Sequence, residues 1–304
     1  FNFHTYDIDR VDVLHGSQGT LYGMNTEGGL IRMYSRNPFL YQGTDVKLSL
    51  GTKLLRKVEL SHYQKLDDKR AFSLSAFYGG QNGFFRNQFD GSRADLTNEF
   101  GGKGRFMWKA SDRWMFDWIA DYQYTHQNGF PYGQLVTKEE IASAPLTSPL
   151  YALKAGTQMP NQNRQSYYRR NILNTGMGIK YAGNGFDVNS MTSWQFLHDN
   201  MLMDIDYLPQ DFLHLTQRQH GNTITEELSV KSNRNGRWQW TFGVFGSYQW
   251  LKTMAPIYFD KDMNTALSKK ITDYAYNGML NAMARGMVPS FVARGMSEEA
   301  ALKA

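Results

Sequence analysis

Cysteine is absent from the 304 residues, which excludes disulfides, thiolate metal sites and a cysteine nucleophile. No run of about 18 consecutive apolar residues occurs, so the sequence holds no transmembrane helix. Neither sign of charge accumulates: 33 basic residues face 28 acidic ones, and the longest basic runs are pairs such as Arg169-Arg170 and Lys269-Lys270. That mild excess reads as solvated charge and offers no nucleic-acid surface. Neither a G-x-S-x-G nor an H-E-x-x-H motif is present, so the common hydrolase and zinc-protease chemistries have no anchor. The close acidic pair Asp204 and Asp206 is of a kind that loops carry routinely. The chain begins at Phe1 without a signal peptide, which says nothing about export, because an exported chain has already lost its signal.

What is present is unusual. Aromatic residues make up 14% of the chain while mean hydropathy is only −0.54, so polar residues must be interleaved with the aromatic ones. From Thr44 onward the interleaving has a period of two, the period of a strand. Trp114, Phe116, Trp118, Ala120, Tyr122 and Tyr124 alternate with Arg113, Met115, Asp117, Ile119, Asp121 and Gln123. A second series runs Trp238, Trp240, Phe242, Val244, Gly246, Tyr248, Trp250, and shorter ones begin at Val46, Val58, Phe72, Phe106, Leu173, Phe186 and Ile224. Nine strands are predicted. Several exceed ten residues, whereas strands of soluble sheets run to about five or six. A tilted transmembrane strand needs about 9–11 residues and carries aromatic residues where it meets the headgroups.

The connections between these strands are sorted by parity. Every even-numbered one is a tight turn, reading DDK, ASD, AGNG or NRNG, while the odd-numbered ones are mostly long, the longest being Gly129–Ser166. Alternate connections of an antiparallel meander lie at opposite ends, so all the tight turns share one end. Short periplasmic turns and long extracellular loops are the pattern of an outer-membrane barrel. Nine is odd and bacterial single-chain barrels have even strand numbers, so the barrel is expected to continue beyond this sequence. The segment 253–304 reads as an extracellular loop with helical stretches. In it Ile271, Tyr274, Met279, Leu280 and Met283 fall at helical spacing, and such a helix is expected to fold back onto the barrel rim.

The opening stretch IDRVDVLHGSQGTLYGMNTEGGLIRMYSRNP (Ile8–Pro38) closely resembles the end of the plug domain of TonB-dependent outer-membrane receptors. Gly16, Gly19, Leu21, Tyr22, Gly23, Gly28 and Gly29 align with that pattern, together with both flanking strands. His15, Ser17, Glu27 and Arg32 depart from the commonest residues of the family without removing a glycine. The segments Ile224–Ser232 and Gly236–Trp250 are similar to the family's barrel hairpins. The resemblance implies an all-β fold: a 22-stranded antiparallel transmembrane β-barrel, about nine strands of it present here, enclosing a lumenal plug. Residues 1–43 would end the plug and residues 44–304 would begin the barrel.

The resemblance also implies a function without covalent chemistry or cofactor: TonB-dependent uptake of a scarce ligand, a ferric siderophore first, across the bacterial outer membrane, driven by proton-motive force. Oligosaccharide, cobalamin, haem or peptide ligands and a passive porin are the alternatives. The implied partners are TonB, through an N-terminal box that this sequence lacks, outer-membrane lipid, the ligand, and a surface lipoprotein. Plug charges Asp9, Arg10, Asp12, Glu27 and Arg32 would pair with wall charges such as Arg105, Asp117 and Asp121. Phe84, Phe85, Arg86, Arg93, Phe130 and Tyr132 would offer the ligand aromatic faces and cations on the outer loops.

Overall fold

The fold is described here from a computed structural model covering residues 6–17, 19, 26–133, 135–143, 155–234, 237–295 and 297. A hairpin comes first, with β1 (Ile8–His15) antiparallel to β2 (Gly29–Ser35). A meander then runs through β3 (Gly43–Gly51), β4 (Leu55–Lys65), β5 (Arg70–Gln81), β6 (Thr97–Lys109) and β7 (Trp114–Asn128). The long connection 129–166 holds a small two-stranded sheet, β8 (Leu135–Val136) with β9 (Gly156–Thr157), and the helix Lys138–Ser143. The meander resumes with β10 (Tyr167–Ala182), β11 (Phe186–Asp204), β12 (Leu213–Ser232) and β13 (Thr241–Met254), and β14 (Ile257–Phe259) pairs with the far end of β12. Each meander strand pairs with its predecessor, and among the described residues the sheet is open, with β3 and β13 as its edges.

The nine predicted strands are the nine strands of this meander. Register shows why the alternation was readable. Trp118 pairs with Met177, Trp194 with Ile224 and Ile224 with Tyr248, so the apolar series share one face. Asp121 pairs with Asn174, Asn174 with Gln195 and Gln195 with Thr223 on the other. The apolar face is the exposed one: Leu48, Leu50 and Leu74 are 70%, 87% and 58% exposed, while Glu59, Ser61 and Ser73 are buried. A water-soluble sheet would have this the other way round, so the hydrophobic side is built for lipid. Aromatic contacts band that face at the end of the tight turns, where Trp108 stacks on Phe116 and Trp114 meets Tyr181 at 4.7 Å. Toward the other end Phe100 meets Tyr124 at 5.2 Å.

Connections follow the predicted parity, with short links at 66–69, 110–113 and 183–185 on one end and 82–96 and 129–166 on the other. The first connection, the 3-10 turn Thr52–Leu54, is short although it lies at the long-loop end. In connection 82–96 the Asp95 carboxylate accepts the backbone N–H groups of Phe84 and Phe85 and holds them off the β5 ladder. The helical expectation for the last segment holds for Lys261–Val292, a single long helix. Its packing differs from the expectation. Beyond the first turn it stands clear of the rim, with Ile271, Tyr274 and Met283 all more than half exposed, since its apolar side chains are spread around the helix and form no single stripe.

Candidate functional site

The site of interest is the seam where the β1–β2 hairpin meets the polar face of the wall. Asp7, in a left-handed turn (φ 57°) just ahead of β1, is buried. Its carboxylate accepts a hydrogen bond from the Tyr63 hydroxyl of β4 at 2.7 Å and pairs with Lys103 Nζ of β6 at 3.1 Å. Lys103 Nζ also donates to the Ser35 hydroxyl at the end of β2, so one ammonium holds both ends of the hairpin. Beside it the Tyr6 ring packs on Phe77 of β5 at 4.9 Å.

A second cluster fixes the chain as it leaves the hairpin. Arg36 donates to Asp45 at 2.6 Å, and its guanidinium lies 4.6 Å from the Tyr41 ring, whose hydroxyl donates to the same carboxylate. Arg105 forms a two-bonded fork to Asp117 (2.8 and 2.7 Å) and donates to the Arg36 carbonyl oxygen. Asp121 accepts from Asn174 within the wall. A recess lined by Tyr6, Asp7, Arg36, Asp45, Glu59 and Tyr63 runs along this seam.

Tyr6, Asp7, Ser35 and Arg36 all make hairpin-to-wall contacts. Arg10 meets Asp12 at 3.3 Å and lies over the Tyr34 ring, inside the hairpin. Asp9 and Glu27 are exposed, and the Arg32 guanidinium also faces Tyr34. The wall charges Arg105 and Asp117 are satisfied by one another. Sequence reasoning missed Asp7 because no motif contains it: its role comes from three strands far apart in sequence. Of the glycines, Gly16 (φ 83°) turns the chain out of β1, and Gly29 lies so close to β1 that a Cβ there would sit 2.6 Å from the Leu14 carbonyl oxygen. Gly28 has open space around it, and a Cβ on Gly19 would come into ordinary contact with the Thr26 hydroxyl at 3.9 Å. Leu21, Tyr22 and Gly23 lie outside the described residues.

At the long-loop end, Phe84 and Phe85 are exposed and Arg86 donates to the Gly91 carbonyl and forms an isolated bridge with Arg93. Phe130, at φ 61°, packs near Tyr132, which meets Tyr207 edge-on at 5.7 Å. The six residues predicted for the ligand surface thus fall in two neighbouring connections, joined where Asn87 hydrogen bonds to both the carbonyl and the N–H of Gln162. Arg164 ties the same region to its neighbours through Asp211 (3.1 Å) and Asp260 (3.3 Å). Burial pushes the Asp211 carboxyl up, but hydrogen bonds from Asn163 and Arg164 outweigh it and hold the group below its ordinary range. Asp204 ends β11 above the band that faces lipid. Burial first, and then the neighbouring Asp206 charge, push its pKa up to about 7.

No protein-family model matches the chain. It is 23% identical over 140 residues to the ferrichrome outer membrane transporter/phage receptor of Escherichia coli K12, a match covering 46% of this chain and 18% of that protein. Among solved structures it resembles the ferric yersiniabactin uptake receptor FyuA of Yersinia pestis, with TM-score 0.64 and 19% identity over 83% of this chain and 38% of that one. It resembles the ferripyoverdine receptor of Pseudomonas aeruginosa with TM-score 0.59 and 16% identity, over 83% of this chain and 33% of that one. The chain thus spans well under half the length of these proteins. The chain has the fold of the TonB-dependent receptors of the bacterial outer membrane.

Proposed function

We propose that the protein to which this chain belongs takes up a ferric siderophore across the outer membrane, with residues 1–43 ending its plug and residues 44–304 opening its barrel. The observation that carries the reading is the seat of Asp7 between Tyr63 and Lys103. A buried ion pair contributes little net stability relative to apolar packing, yet it fixes geometry and exchanges for water when it opens. That suits a plug that must hold firm and then move. The names of the similar proteins, a ferrichrome transporter and ferric yersiniabactin and ferripyoverdine receptors, support a ferric chelate as the ligand. Arg86 and Arg93 would meet its anionic groups through charge-assisted hydrogen bonds, and Phe84, Phe85, Phe130 and Tyr132 its flat or apolar ones. Motion of the plug would be driven by TonB, coupled to the proton-motive force of the inner membrane.

The test is uptake of radioactive iron as a panel of siderophore complexes by iron-starved cells whose receptor gene is deleted and then restored at full length. Restored uptake that a protonophore abolishes is the expected result. Uptake of small solutes indifferent to the protonophore would replace this reading with that of a passive pore.

A further inference from the structure

The middle of the outward face carries a feature that contact with lipid does not explain. Two rows bearing aromatic residues bound the apolar band on β10–β13. One runs Tyr181, Val188, Val230, Phe242 toward the tight turns, the other Leu173, Phe196, Asn222, Trp250 toward the long loops. Between those rows the outward side chains of the four strands include a single Asp, Glu, Lys or Arg, which is Glu226. It lies in the row Met177, Thr192, Glu226, Gly246, midway between the two boundaries. Its carboxyl accepts hydrogen bonds from Ser190 Oγ at 2.7 Å and from Thr192 Oγ1. Gly246 leaves a gap beside it, since a Cβ there would meet nothing within 4 Å.

Ionisable side chains are costly against hydrocarbon, and within membranes they pair with one another or with polar groups. Two hydroxyls fill only part of a carboxyl's acceptor capacity, so the remainder points toward lipid. Next to Glu226 is a hollow of about 330 Å³, walled by Trp118, Met177, Trp194 and Ile224 and holding the hydroxyls of Thr175 and Thr192. An aromatic ring with a hydroxyl at its tip suits such a lining. The same face supplies one. Tyr248 is 70% exposed and shares a row with Ile224 and Trp194, so it stands at the height of the hollow. The hollow begins one strand to one side of Glu226, on β11, and Tyr248 stands one strand to the other side, on β13.

Two copies in one membrane share an orientation, so a two-fold axis relating them runs along the membrane normal and keeps every residue at its own height. With that axis at β12, Tyr248 of each copy lies about 4.8 Å from it and comes over β11 of the other, at the mouth of the hollow. The two Glu226 carboxyls then meet on the axis, where they share a proton in a hydrogen bond. We propose that this face joins two copies of the receptor, each Tyr248 seated in the other's hollow and the Glu226 pair at the centre. Gly246 lets the two walls approach closely there. The proposal rests on the outer-membrane reading of the wall and is independent of what is transported.

The experiment uses the full-length receptor in intact cells. A benzophenone amino acid replaces Val244, the next outward position from Gly246 on β13, or Leu74, outward on β5, and irradiation traps whatever lies within reach. The expected result is a covalent dimer from Val244 and none from Leu74. Adding Tyr248→Ala or Glu226→Leu should lower the dimer yield by roughly tenfold or more, as loss of a central anchor does, while Glu226→Gln, which keeps the hydrogen bonds, retains it. Heat-modifiable gel migration reports that each variant is folded. Capture of lipid alone, or of a different protein, at Val244 overturns the proposal. So do equal dimer yields from Val244 and Leu74, and so does an unchanged yield in folded Tyr248→Ala or Glu226→Leu. Cross-linking does not depend on uptake, so failure here leaves the transport reading standing.

Discussion

Asp7 carries the greatest consequence of any single side chain in the seam. It has no solvent exposure, Lys103 has little, and removing one partner of a buried pair typically costs about 3–5 kcal/mol because the other charge is stranded. Asp7→Ala should therefore speed hydrogen exchange of the β1 amides, and the double variant with Lys103→Ala should cost less than the sum of the two single ones. Strict additivity in that cycle would mean the two charges are not coupled. The two adjacent glycines make a sharper contrast. Gly29→Ala puts a methyl group 2.6 Å from the Leu14 carbonyl oxygen and should open the hairpin, whereas Gly28→Ala meets open space and should be tolerated. Exchange rates of Val13 and Ile31 would read the difference, and equal effects would contradict the close approach at Gly29.

Among the elements, strands were legible and their attachments were not. The Trp114–Tyr124 and Phe242–Trp250 series showed themselves because one face of each strand meets lipid and the other a polar interior, a contrast that survives in the residue order, while Trp238 and Trp240 of the predicted series precede β13. The helix Lys138–Ser143 had a local signal that went unread, Thr137-x-x-Glu140, a reciprocal cap in which Thr137 Oγ1 accepts the Glu140 N–H and Glu140 accepts the Thr137 N–H. The hairpin's seat had no such signal, since Asp7, Tyr63 and Lys103 meet only after the meander has formed. The same holds for Arg164, which joins three connections.

Loop 205–212 gives a pH prediction at this scale. Asp204 titrates near pH 7 when folded, through burial and then the Asp206 charge, against an ordinary value of 3.8. The folded loop therefore holds a proton that the unfolded loop releases, and its stability is greatest below about pH 4 and falls as pH rises through about 7. Its amides, notably Tyr207, should exchange faster at pH 8 than at pH 5 after correction for the intrinsic rate. Asp204→Asn should flatten that dependence, and an unchanged dependence in the variant would assign it to another group.

For the whole molecule, the claim is an outer-membrane wall with tight turns on one side, long loops on the other, and a hairpin held on the polar face. This sequence contributes no cysteine of its own to a labelling test, and any cysteine elsewhere in the full-length protein would first be replaced by serine. Single cysteines would be introduced in the full-length protein at Asp90, in connection 82–96, and at Asp112, in connection 110–113, and intact cells treated with a membrane-impermeant maleimide. The account predicts that Asp90→Cys is labelled in intact cells and Asp112→Cys only after the outer membrane is permeabilised. Labelling of both positions in intact cells, or of Asp112→Cys alone, would contradict it.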